Sequence, residues 1–448
     1  KKGEIDIIIG PRSALFTPFE NIGLIIIDEE HENTYKSESM PKYHAREVAV
    51  ELARLHGASV VLGSATPSME SYYKAINGEY GLFTLKERLA GGTLPTVYIE
   101  DLREEMKKGN RTIFSVRLQE LIRDRLARGE QIMLFLNRRG YSGFISCRSC
   151  GHVMKCPHCD VSLSKHANGK LVCHYCGYEQ PDVTNCPECG SKYILGFKAG
   201  TEKVEEGFRK LFGDVPILRM DRDTTKTKDS YEEILSQFME EKAQVLIGTQ
   251  MIVKGHDFPN VTLVGVLAAD MSLHVSDFHG AERTFQLLTQ AAGRAGRGSE
   301  PGEVVIQTYD PEHYAIVTAK EQDYESFYSQ EIEYRKMMFY PPVWNLLVIW
   351  ATSLQEERLE KATEKMANHL SVFIKEDELL AKEKIQIVGP TDAAISKIND
   401  VYRKVIYLKT KEYDTLVQIK DRMEWYIKDN KDFQNVSIQF DFNPVSGF

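Results

Sequence analysis

The sequence has no hydrophobic run long enough to cross a membrane. Its longest apolar runs are Ile22–Ile27 and Val261–Ala269, whereas a membrane-spanning helix needs about 20 apolar residues. The N-terminal stretch does not have the charged-then-apolar layout of a secretory signal. These absences exclude a helical membrane protein, and we expect no membrane partner.

The sequence also has no excess of positive charge and no compositional sign of disorder. Among its 448 residues, Lys and Arg total 56 against 65 for Asp and Glu, so the formal net charge is −9. Hydrophobic residues reach 42%, which is ample for a folded core and excludes a disordered chain. At about 150 residues per domain, the length predicts about three domains. The acidic balance does not by itself indicate a nucleic-acid partner, so a site for one has to be local.

Cysteine is absent from most of the chain and concentrated in one region. All eight cysteines lie between Cys147 and Cys189, as four Cys-x-x-Cys pairs. A disulfide framework is the alternative, but such frameworks staple small secreted domains. Two cysteines separated by two residues bind one metal readily, and a small or turn-forming residue follows each pair. Because Zn²⁺ takes four thiolates in a tetrahedron, the sequence predicts two structural zinc sites.

The spacing leaves two pairings of the cysteines open and favours a nested one. The gaps between successive pairs are 5, 13 and 9 residues, and a sequential arrangement would close one site over the gap of 5, which is tight. The inner gap of 13 is near the spacing of zinc ribbons. We therefore expect an outer and an inner site, with the respective ligands Cys147, Cys150, Cys186 and Cys189, and Cys156, Cys159, Cys173 and Cys176.

Short apolar strands alternate with helical patterns on both sides of the cysteine region. Ile5–Ile9 and Ile22–Ile27 are predicted as buried strands, Val116–Arg128 as a helix and Ile217–Met220 as a strand. Such alternation predicts a parallel sheet covered by helices, with the zinc region as an insertion. A polar helical connector is expected over Tyr314–Met338.

The last part of the chain has a different order of elements. Between Leu346 and Phe442 the predicted order is β-α-β-β-α-β, which indicates a small ferredoxin-like α+β domain. Pro341 and Pro342 mark the boundary before it. The predicted domains are residues 1–90 and 91–146 with 191–312 for the two α/β parts, 147–190 for the zinc insertion, 313–340 for the connector and 341–448 for the terminal domain.

An acidic box follows the strand Ile22–Ile27. It reads Asp28-Glu29-Glu30-His31, and ligands of open α/β sheets bind outside the carboxyl ends of strands. An Asp there can hold Mg²⁺ on a nucleotide phosphate, and the adjacent Glu can activate the attacking water. Taken alone, the box is equally compatible with an ordinary acidic loop.

Two further segments carry side chains suited to phosphates. Ser64 and Thr66 follow the predicted strand Val60–Leu62, and Arg294 and Arg297 come with glycines that permit close approach to a ligand. An arginine at a γ-phosphate stabilises transition-state charge. The alternatives are a capped helix start and a surface arginine pair.

Two more strand ends carry residues suited to nucleic acid. Thr249, Lys254 and Gly255 follow the strand Val245–Ile247 and suit phosphate contacts, while Asp257 suits a ribose or an arginine partner. A second strand ends in Arg138 and Arg139.

Taken in chain order, the five segments resemble motifs II, III, IV (Phe135–Tyr141), V (Gly248–Pro259) and VI (Gln290–Arg297) of the superfamily 2 helicases. Together with Gly10–Phe16 and the eight-cysteine insertion, they resemble the replication-restart, or primosomal, DNA helicases over nearly the whole chain. The resemblance implies an α/β fold of two RecA-like parallel-sheet lobes, the first incomplete, with an inserted double-zinc module and a small ferredoxin-like α+β domain.

The resemblance implies an ATP-dependent 3′→5′ DNA helicase that binds forked DNA and initiates replication restart by primosome assembly. Its implied cofactors are two structural Zn²⁺ ions and ATP with Mg²⁺. The implied partners are forked and single-stranded DNA, single-strand-binding protein and other primosome proteins, in the bacterial cytoplasm.

The resemblance also implies roles for individual residues. Asp28 and Glu29 would bind Mg²⁺ and activate water, Ser64 and Thr66 would couple hydrolysis to lobe movement, and the two arginines would reach the triphosphate. Further residues implied at the ATP and Mg²⁺ site are Glu30, His31, Gly255, Asp257 and Gln290. Those implied in DNA binding are Arg12, Tyr35, Lys36, Tyr43, His44, Arg138, Arg139, Thr249 and Lys254. For Tyr43 and His44 a packed helix start is the alternative.

The sequence departs from the family in lacking the phosphate-binding loop Gly-x-x-x-x-Gly-Lys-Ser/Thr. In the family this loop, and the N-terminal DNA-binding and winged-helix regions, lie upstream of the point where this chain starts, at Lys1 rather than at a Met. We expect a fragment that does not hydrolyse ATP alone, although the intact protein does.

Two other functions stay open. One is a non-enzymatic, zinc-dependent DNA-binding or primosome scaffold with a degenerate helicase core, and the other is a different ATP-driven DNA motor. Retention of Asp28, Glu29, Arg294 and Arg297 argues against the scaffold, and the zinc insertion argues against the other motor.

Overall fold

The structure is a computed structural model. It describes residues 5–85, 94–136, 145–157, 162–165, 169–173, 176–196, 200–221, 224–225, 228–252, 258–273, 277–296, 301–428 and 430–445. Within these ranges, no helix combines the length and the apolar character that a membrane crossing requires. The predicted site residues that lie outside them are Arg138, Arg139, Cys159, Lys254, Gly255, Asp257 and Arg297.

The strands are numbered in chain order. They are β1 Leu24–Ile27, β2 Ser59–Leu62, β3 Thr96–Asp101, β4 Gln131–Phe135, β5 Ile145–Cys147, β6 Ser164–Lys165, β7 Lys170–Val172, β8 Glu179–Pro181, β9 Ile194–Gly196, β10 Ile217–Met220, β11 Val245–Gly248, β12 Val261–Val266, β13 Glu303–Thr308, β14 Asn345–Ser353, β15 Gln386–Ile398, β16 Val401–Thr410 and β17 Ser437–Phe442.

The α-helices are numbered in the same way. They are α1 Ala45–His56, α2 Met69–Ile76, α3 Leu102–Lys107, α4 Val116–Arg128, α5 Thr201–Phe212, α6 Lys228–Met239, α7 Asp270–Leu273, α8 Gly280–Ala292, α9 Tyr314–Glu321, α10 Tyr324–Met337, α11 Glu356–Glu376 and α12 Tyr413–Lys428.

The chain folds into two compact units. One is continuous, Thr84–Tyr334, and the other combines Lys1–Phe83 with Arg335–Phe448. The continuous unit contains a six-stranded, all-parallel sheet in the order β10-β11-β4-β12-β13-β3. All residues of β4 and β12 are buried, as expected for strands covered on both faces of a parallel sheet. The predicted parallel α/β architecture is therefore confirmed.

The bounds predicted for helix α4, Val116–Arg128, agree with the structure. Ser115 is its N-cap and accepts a hydrogen bond from the Leu118 amide at 3.3 Å. Gly129 ends the helix in the left-handed conformation, with φ of 76°, which glycine adopts without steric cost. Leu118 and Ile122 lie one turn apart and pack in the core of the sheet.

The discontinuous unit contains the predicted ferredoxin-like domain. Its antiparallel sheet has the order β15-β16-β14-β17, and the chain order is β14-α11-β15-β16-α12-β17, which is the predicted β-α-β-β-α-β unit. Both helices pack on one face of this sheet, in a core that includes Leu347, Ile349, Met366, Leu408 and Ile419.

Of the two buried strands predicted near the start of the chain, the structure contains only the second, and most of that strand is not buried. Ile5–Ile9 forms no strand, and Ile7 and Ile9 are 78% and 94% exposed. The second strand is shorter than predicted, Leu24–Ile27, and only Ile27 is buried. The described residues place α1 against the parallel pair β1 and β2, and the alternate side chains Leu24 and Ile26 remain exposed. A continuous apolar run predicts cover on both faces, which the described residues do not provide.

The predicted helical connector is two helices rather than one. Gln322 ends α9 with a left-handed φ of 54°, and α10 begins at Tyr324. The second helix is not a solvent-exposed connector, because its residues Phe327, Glu331 and Arg335 are fully buried.

Candidate nucleotide site and zinc module

The acidic box begins where β1 ends, beside the end of β2. The parallel register pairs Ile27 with Leu62, and the Glu30 amide donates to the Gly63 carbonyl at 3.0 Å. The Asp28 Oδ1 accepts from the Glu29 amide at 3.0 Å. The local structure thus brings together two segments that are far apart in the sequence, as expected for neighbouring parallel strands.

His31 connects the acidic box to the segment after β2. Its Nδ1 lies 2.7 Å from the Ser64 Oγ and 3.5 Å from a carboxylate oxygen of Glu29. The same Ser64 Oγ accepts from the Thr66 amide at 3.0 Å. Of the two residues predicted for coupling, Ser64 is therefore in direct contact with the acidic box, and Thr66 bonds to Ser64.

The three acidic side chains of the box differ in exposure. Asp28 and Glu29 are exposed, with half of the Glu29 side chain accessible, whereas Glu30 is 1% exposed. Exposed carboxylates at a strand end are donors that fit Mg²⁺, a hard cation with oxygen ligands. Glu30, which was predicted to share this site, instead points into the interior.

Glu30 is held by a buried polar network. Its Oε1 accepts from the Ser68 amide at 2.6 Å, and its Oε2 accepts from Arg46 at 2.7 Å, the Ser71 hydroxyl at 2.8 Å and the Ser68 hydroxyl at 3.0 Å. Although burial acts to lower the pKa of Arg46, the carboxylates of Glu30 and Glu70 raise it above its usual value. No signal in the sequence could have found these partners, because they lie on α1 and at the start of α2.

The loop that follows the box, residues 32–44, contains four of the nine residues predicted to contact DNA. The Tyr35 hydroxyl donates to the Asp28 carbonyl at 2.8 Å, and burial together with Asp28, Glu32 and Glu29 raises the pKa of Tyr35. The Arg12 guanidinium donates to the carbonyls of Thr34 and Lys36, both at 2.7 Å. Arg12 therefore restrains the loop through these two hydrogen bonds.

Three further residues of this loop make contacts with other residues of the protein. The buried Lys36 ammonium lies 3.1 Å from a carboxylate oxygen of Asp441 and donates to the Phe442 carbonyl. His44 is the N-cap of α1, and its Nδ1 accepts from the Arg46 amide at 3.2 Å. Tyr43 is half-buried and packs edge-on against Phe16. A contact of Lys36 or His44 with DNA would require these partners to be given up.

The other predicted nucleotide and DNA residues that the structure describes lie in the continuous unit. Thr249 follows β11 and is half-buried, as is Gln290 on α8. Arg294 follows α8, and its amide donates to the Ala291 carbonyl at 3.1 Å. Gly296 then adopts a left-handed φ of 68°, in a position where a Cβ would overlap the backbone of Gly302.

The cysteines form the two nested groups. The sulfurs of Cys147, Cys150, Cys186 and Cys189 lie within 4.8 Å of one another, and so do those of Cys156, Cys173 and Cys176. The Cys147–Cys189 and Cys150–Cys186 sulfur distances are both 3.6 Å. A tetrahedral zinc with bonds of about 2.3 Å has sulfur–sulfur edges of about 3.8 Å, so the donor set fits zinc.

Three of the Cys-x-x-Cys segments share one turn. Gly151, Gly177 and Gly190 each follow the second cysteine of a pair with a left-handed φ of 71° to 82°. Each glycine amide donates to the carbonyl of the first cysteine of its pair, at 2.9 to 3.0 Å. The repeated turn presents both sulfurs on one side, which explains why glycine occupies these positions.

The first of these turns packs against the parallel-sheet part of the same unit. A Cβ on Gly151 would overlap the Tyr309 carbonyl oxygen and lie 3.1 Å from the Arg103 side chain. The Arg103 guanidinium, held by Asp101, also donates to the Cys150 carbonyl at 3.3 Å. Arg148 lies over the Tyr309 ring at 4.7 Å.

Three family descriptions match parts of the chain. The PriA DNA helicase Cys-rich region domain matches residues 156–181, the helicase conserved C-terminal domain matches residues 190–299, and the primosomal protein N C-terminal domain matches residues 336–445. The first contains the inner cysteine group and the third contains the ferredoxin-like domain.

Curated relatives match along almost the whole chain. Replication restart protein PriA of Bacillus subtilis (strain 168) is 47% identical over 442 residues, which are 98% of this chain and 54% of that protein. Proteins of the same description from Synechocystis and Treponema pallidum are 42% identical over 454 residues and 37% over 441, covering 99% and 98% of this chain. The chain spans 53% and 65% of their respective lengths.

A solved structure described as RecG bound to a three-way DNA junction aligns with 70% of this chain and 30% of its own at 15% identity and a TM-score of 0.35, which is too low to support a functional argument.

The curated relatives are much more similar to this chain in sequence, at 37% to 47% identity. Because proteins of one description match it over nearly all of its length, and domains particular to them match its cysteine-rich and C-terminal segments, this chain belongs to the family of the replication restart protein PriA.

Proposed function

We propose that the protein to which this chain belongs is an ATP-dependent DNA helicase that acts in replication restart in the bacterial cytoplasm. The observation that carries the proposal is the exposed Asp28 and Glu29 pair, connected through His31 to Ser64. The relatives, described as replication restart proteins, support it, as does the helicase domain match at residues 190–299.

In this proposal the acidic pair acts on ATP. Mg²⁺, when bound with ATP, supplies charge neutralisation at the phosphates. Asp28 and Glu29 would hold the ion, and the Glu29 carboxylate would take the proton of the attacking water. Because His31 contacts both Glu29 and Ser64, a change at the acidic pair would reach the Ser64–Thr66 segment.

We also propose ATP-site roles for residues of the segment that matches the helicase C-terminal domain. Arg294 and Arg297 would stabilise the negative charge that develops on the transferred phosphoryl group. Gln290, Gly255 and Asp257 would complete the nucleotide site.

We further propose that the loop 32–44 responds to DNA. Aromatic side chains stack on unpaired bases of any sequence, and Tyr35 bonds directly to the Asp28 backbone. A base stacked on Tyr35 would therefore act on the acidic pair at short range.

The phosphates of the DNA would contact four other residues, Arg138, Arg139, Thr249 and Lys254. Forked DNA as substrate, 3′→5′ movement, and single-strand-binding protein and primosome proteins as partners complete the proposal.

The test is DNA-stimulated ATP hydrolysis by the product of the whole gene. We expect single-stranded or forked DNA to stimulate hydrolysis, and Glu29→Gln to lower kcat by about 10²-fold or more, because a positioned base contributes about that much. Glu47→Gln, on the exposed side of α1, is the matched control and should leave the rate unchanged. A wild-type protein that binds zinc and DNA but shows no stimulated hydrolysis would favour the scaffold instead.

For the chain of 448 residues by itself we expect no appreciable ATP hydrolysis, because its sequence contains no phosphate-binding loop. A colorimetric phosphate-release assay with saturating single-stranded DNA checks this. DNA-stimulated hydrolysis by this chain that disappears in Glu29→Gln would contradict the expectation.

A further inference from the structure

Glu29 has a backbone conformation that a non-glycine residue rarely adopts. Its φ is 47°, in the left-handed region that crowds the Cβ of L-residues. Unfavourable conformations of this kind persist only where the surrounding structure holds them. The residue that would activate water in the proposed reaction therefore depends on its neighbours for its direction.

The residue on one side of Glu29 supplies a short-range restraint. The Asp28 Oδ1 accepts from the Glu29 amide at 3.0 Å, and the Asp28 carbonyl accepts from the Tyr35 hydroxyl at 2.8 Å. Both groups are exposed, so water can compete for them. This side alone is a weak restraint.

The residue on the other side is fixed far more firmly. The Glu30 amide donates to the Gly63 carbonyl, and four donors occupy its carboxylate at 2.6 to 3.0 Å. Three of the four converge on Oε2, so that oxygen has no room for a metal ion. The side chain is 1% exposed, away from any ligand that Asp28 and Glu29 hold.

The network continues from Glu30 to the start of the C-terminal part of the same unit. Arg46 lies 3.9 Å from Glu70, and Glu70 lies 3.6 Å from Arg335. Arg335 is fully buried and donates to the Pro341 carbonyl at 2.9 Å. Negative and positive charges alternate along this path, so each buried charge has a partner of opposite sign.

We propose that Glu30 is a positioning residue: its buried carboxylate, locked by Arg46, Ser68 and Ser71, holds Glu29 in the left-handed conformation that directs the water-activating carboxylate. Glu70 and Arg335 tie this anchor to the segment that leads into the ferredoxin-like domain. The inference deepens the proposed ATPase function and rests on it.

The anchor makes a specific kinetic prediction. In Glu30→Gln the side chain keeps its shape but loses the negative charge that pairs with Arg46. The contacts that hold residue 30 therefore weaken, while the space that the side chain occupies stays filled. A displacement of about 1 Å in a catalytic group can cost about 10²-fold in rate. We expect kcat for DNA-stimulated hydrolysis to fall about 10- to 100-fold, while KM for ATP and the Mg²⁺ concentration for half-maximal rate stay within about twofold.

The experiment uses the product of the whole gene, with steady-state ATPase measured over a matrix of ATP and Mg²⁺ concentrations. Glu47→Gln, one residue from Arg46 and exposed, serves as the control. Glu70→Gln is a second variant, because its partly exposed side chain can be changed without opening the core. It cuts the path from Arg46 to Arg335, and we expect a smaller fall in kcat in the same direction.

Each outcome decides the matter. An unchanged kcat in Glu30→Gln overturns the proposal, and so does a rate that excess Mg²⁺ restores, since that result makes Glu30 a metal ligand. If Glu30→Gln does not fold, an unchanged kcat in Glu70→Gln overturns it. A wild-type protein without DNA-stimulated hydrolysis refutes the proposed function and this inference with it, whereas an active wild type with unaffected variants refutes the inference alone.

Discussion

Two helices of this chain begin at a histidine that caps them in its neutral form. His44 precedes α1 and His313 precedes α9, and the Nδ1 of each accepts from the backbone amide two residues on, at 3.2 Å. Burial, with Arg46 and Lys36, lowers the pKa of His44 to about 2, and burial with Lys155 lowers that of His313 to about 4. A protonated ring could not accept these bonds, so both caps depend on pH.

The sign of this dependence follows from the direction of the pKa change. Unfolded His44 takes up a proton below about pH 6.5, whereas the folded residue does not until about pH 2. The unfolded state therefore binds more protons, and stability falls as pH falls below about 6.5. Between pH 7 and 5.5, His44 alone should cost about 1.3 kcal/mol of unfolding free energy.

His44→Asn tests this, because asparagine is a good N-cap that does not titrate. All three tryptophans, Trp344, Trp350 and Trp425, lie in the unit that contains His44, so urea unfolding followed by tryptophan fluorescence reports on it. We expect the pH 7 to 5.5 difference to shrink by about 1.3 kcal/mol in His44→Asn. His56, at the exposed end of α1, provides the control: in His56→Asn the difference in unfolding free energy between pH 7 and 5.5 should equal that of the wild type. Equal differences in the wild type and in His44→Asn would refute the argument.

At the scale of elements, the repeated glycine turn shows how much a pattern of residues can predict. The small residues after each cysteine pair predicted a turn, and Gly151, Gly177 and Gly190 form it. Likewise, the bounds predicted for α4 agree with the structure, in which Ser115 caps the helix and Gly129 ends it. These features are local, so the information that specifies them lies within a few residues.

Features that depend on distant parts of the chain could not be predicted in this way. The apolar run Ile5–Ile9 indicated burial, but burial depends on what else covers a segment, and these residues are exposed. The acidic box gave no sign that Glu30 differs from Glu29, because the buried partners of Glu30 lie 16 to 41 positions later. Lys36 looked like a DNA contact for the same reason, since Asp441 is far along the chain.

The repeated glycine turn also allows the effect of steric overlap on zinc release to be measured separately from the effect of backbone strain. Gly151→Ala and Gly190→Ala both place a side chain at a left-handed φ in the outer zinc site, which costs about 1 kcal/mol. A Cβ at Gly190 meets open space, whereas one at Gly151 overlaps the Tyr309 carbonyl, which adds about 1–3 kcal/mol. We expect zinc transfer to a chromogenic chelator to be clearly faster in Gly151→Ala. Equal rates would mean that the contact with Tyr309 does not support the site.

At the scale of the whole molecule, the metal content tests the cysteine pairing. We expect two zinc ions per chain, because each nested group offers four thiolates. In a double variant, Cys150→Ser with Cys186→Ser, the nested arrangement loses one ion, because both residues belong to the outer group. A sequential arrangement would lose both ions, since the two residues would then serve different sites. Elemental analysis of the purified variants distinguishes one zinc per chain from none.

The division of the chain into a continuous and a discontinuous unit bears on the order of folding during synthesis. The continuous unit has all of its residues between Thr84 and Tyr334, so it can form while the ribosome is still translating the rest. The other unit cannot close until its last strand emerges, because Lys36 and Lys42 bind Asp441 across roughly 400 positions of sequence. The segment that contains Lys36 and Lys42 must therefore wait for Asp441, a partner synthesised about 400 residues later. A nascent chain at this stage leaves unpaired the edge of β14 that later pairs with β17, and unpaired strand edges make partly folded chains prone to aggregation.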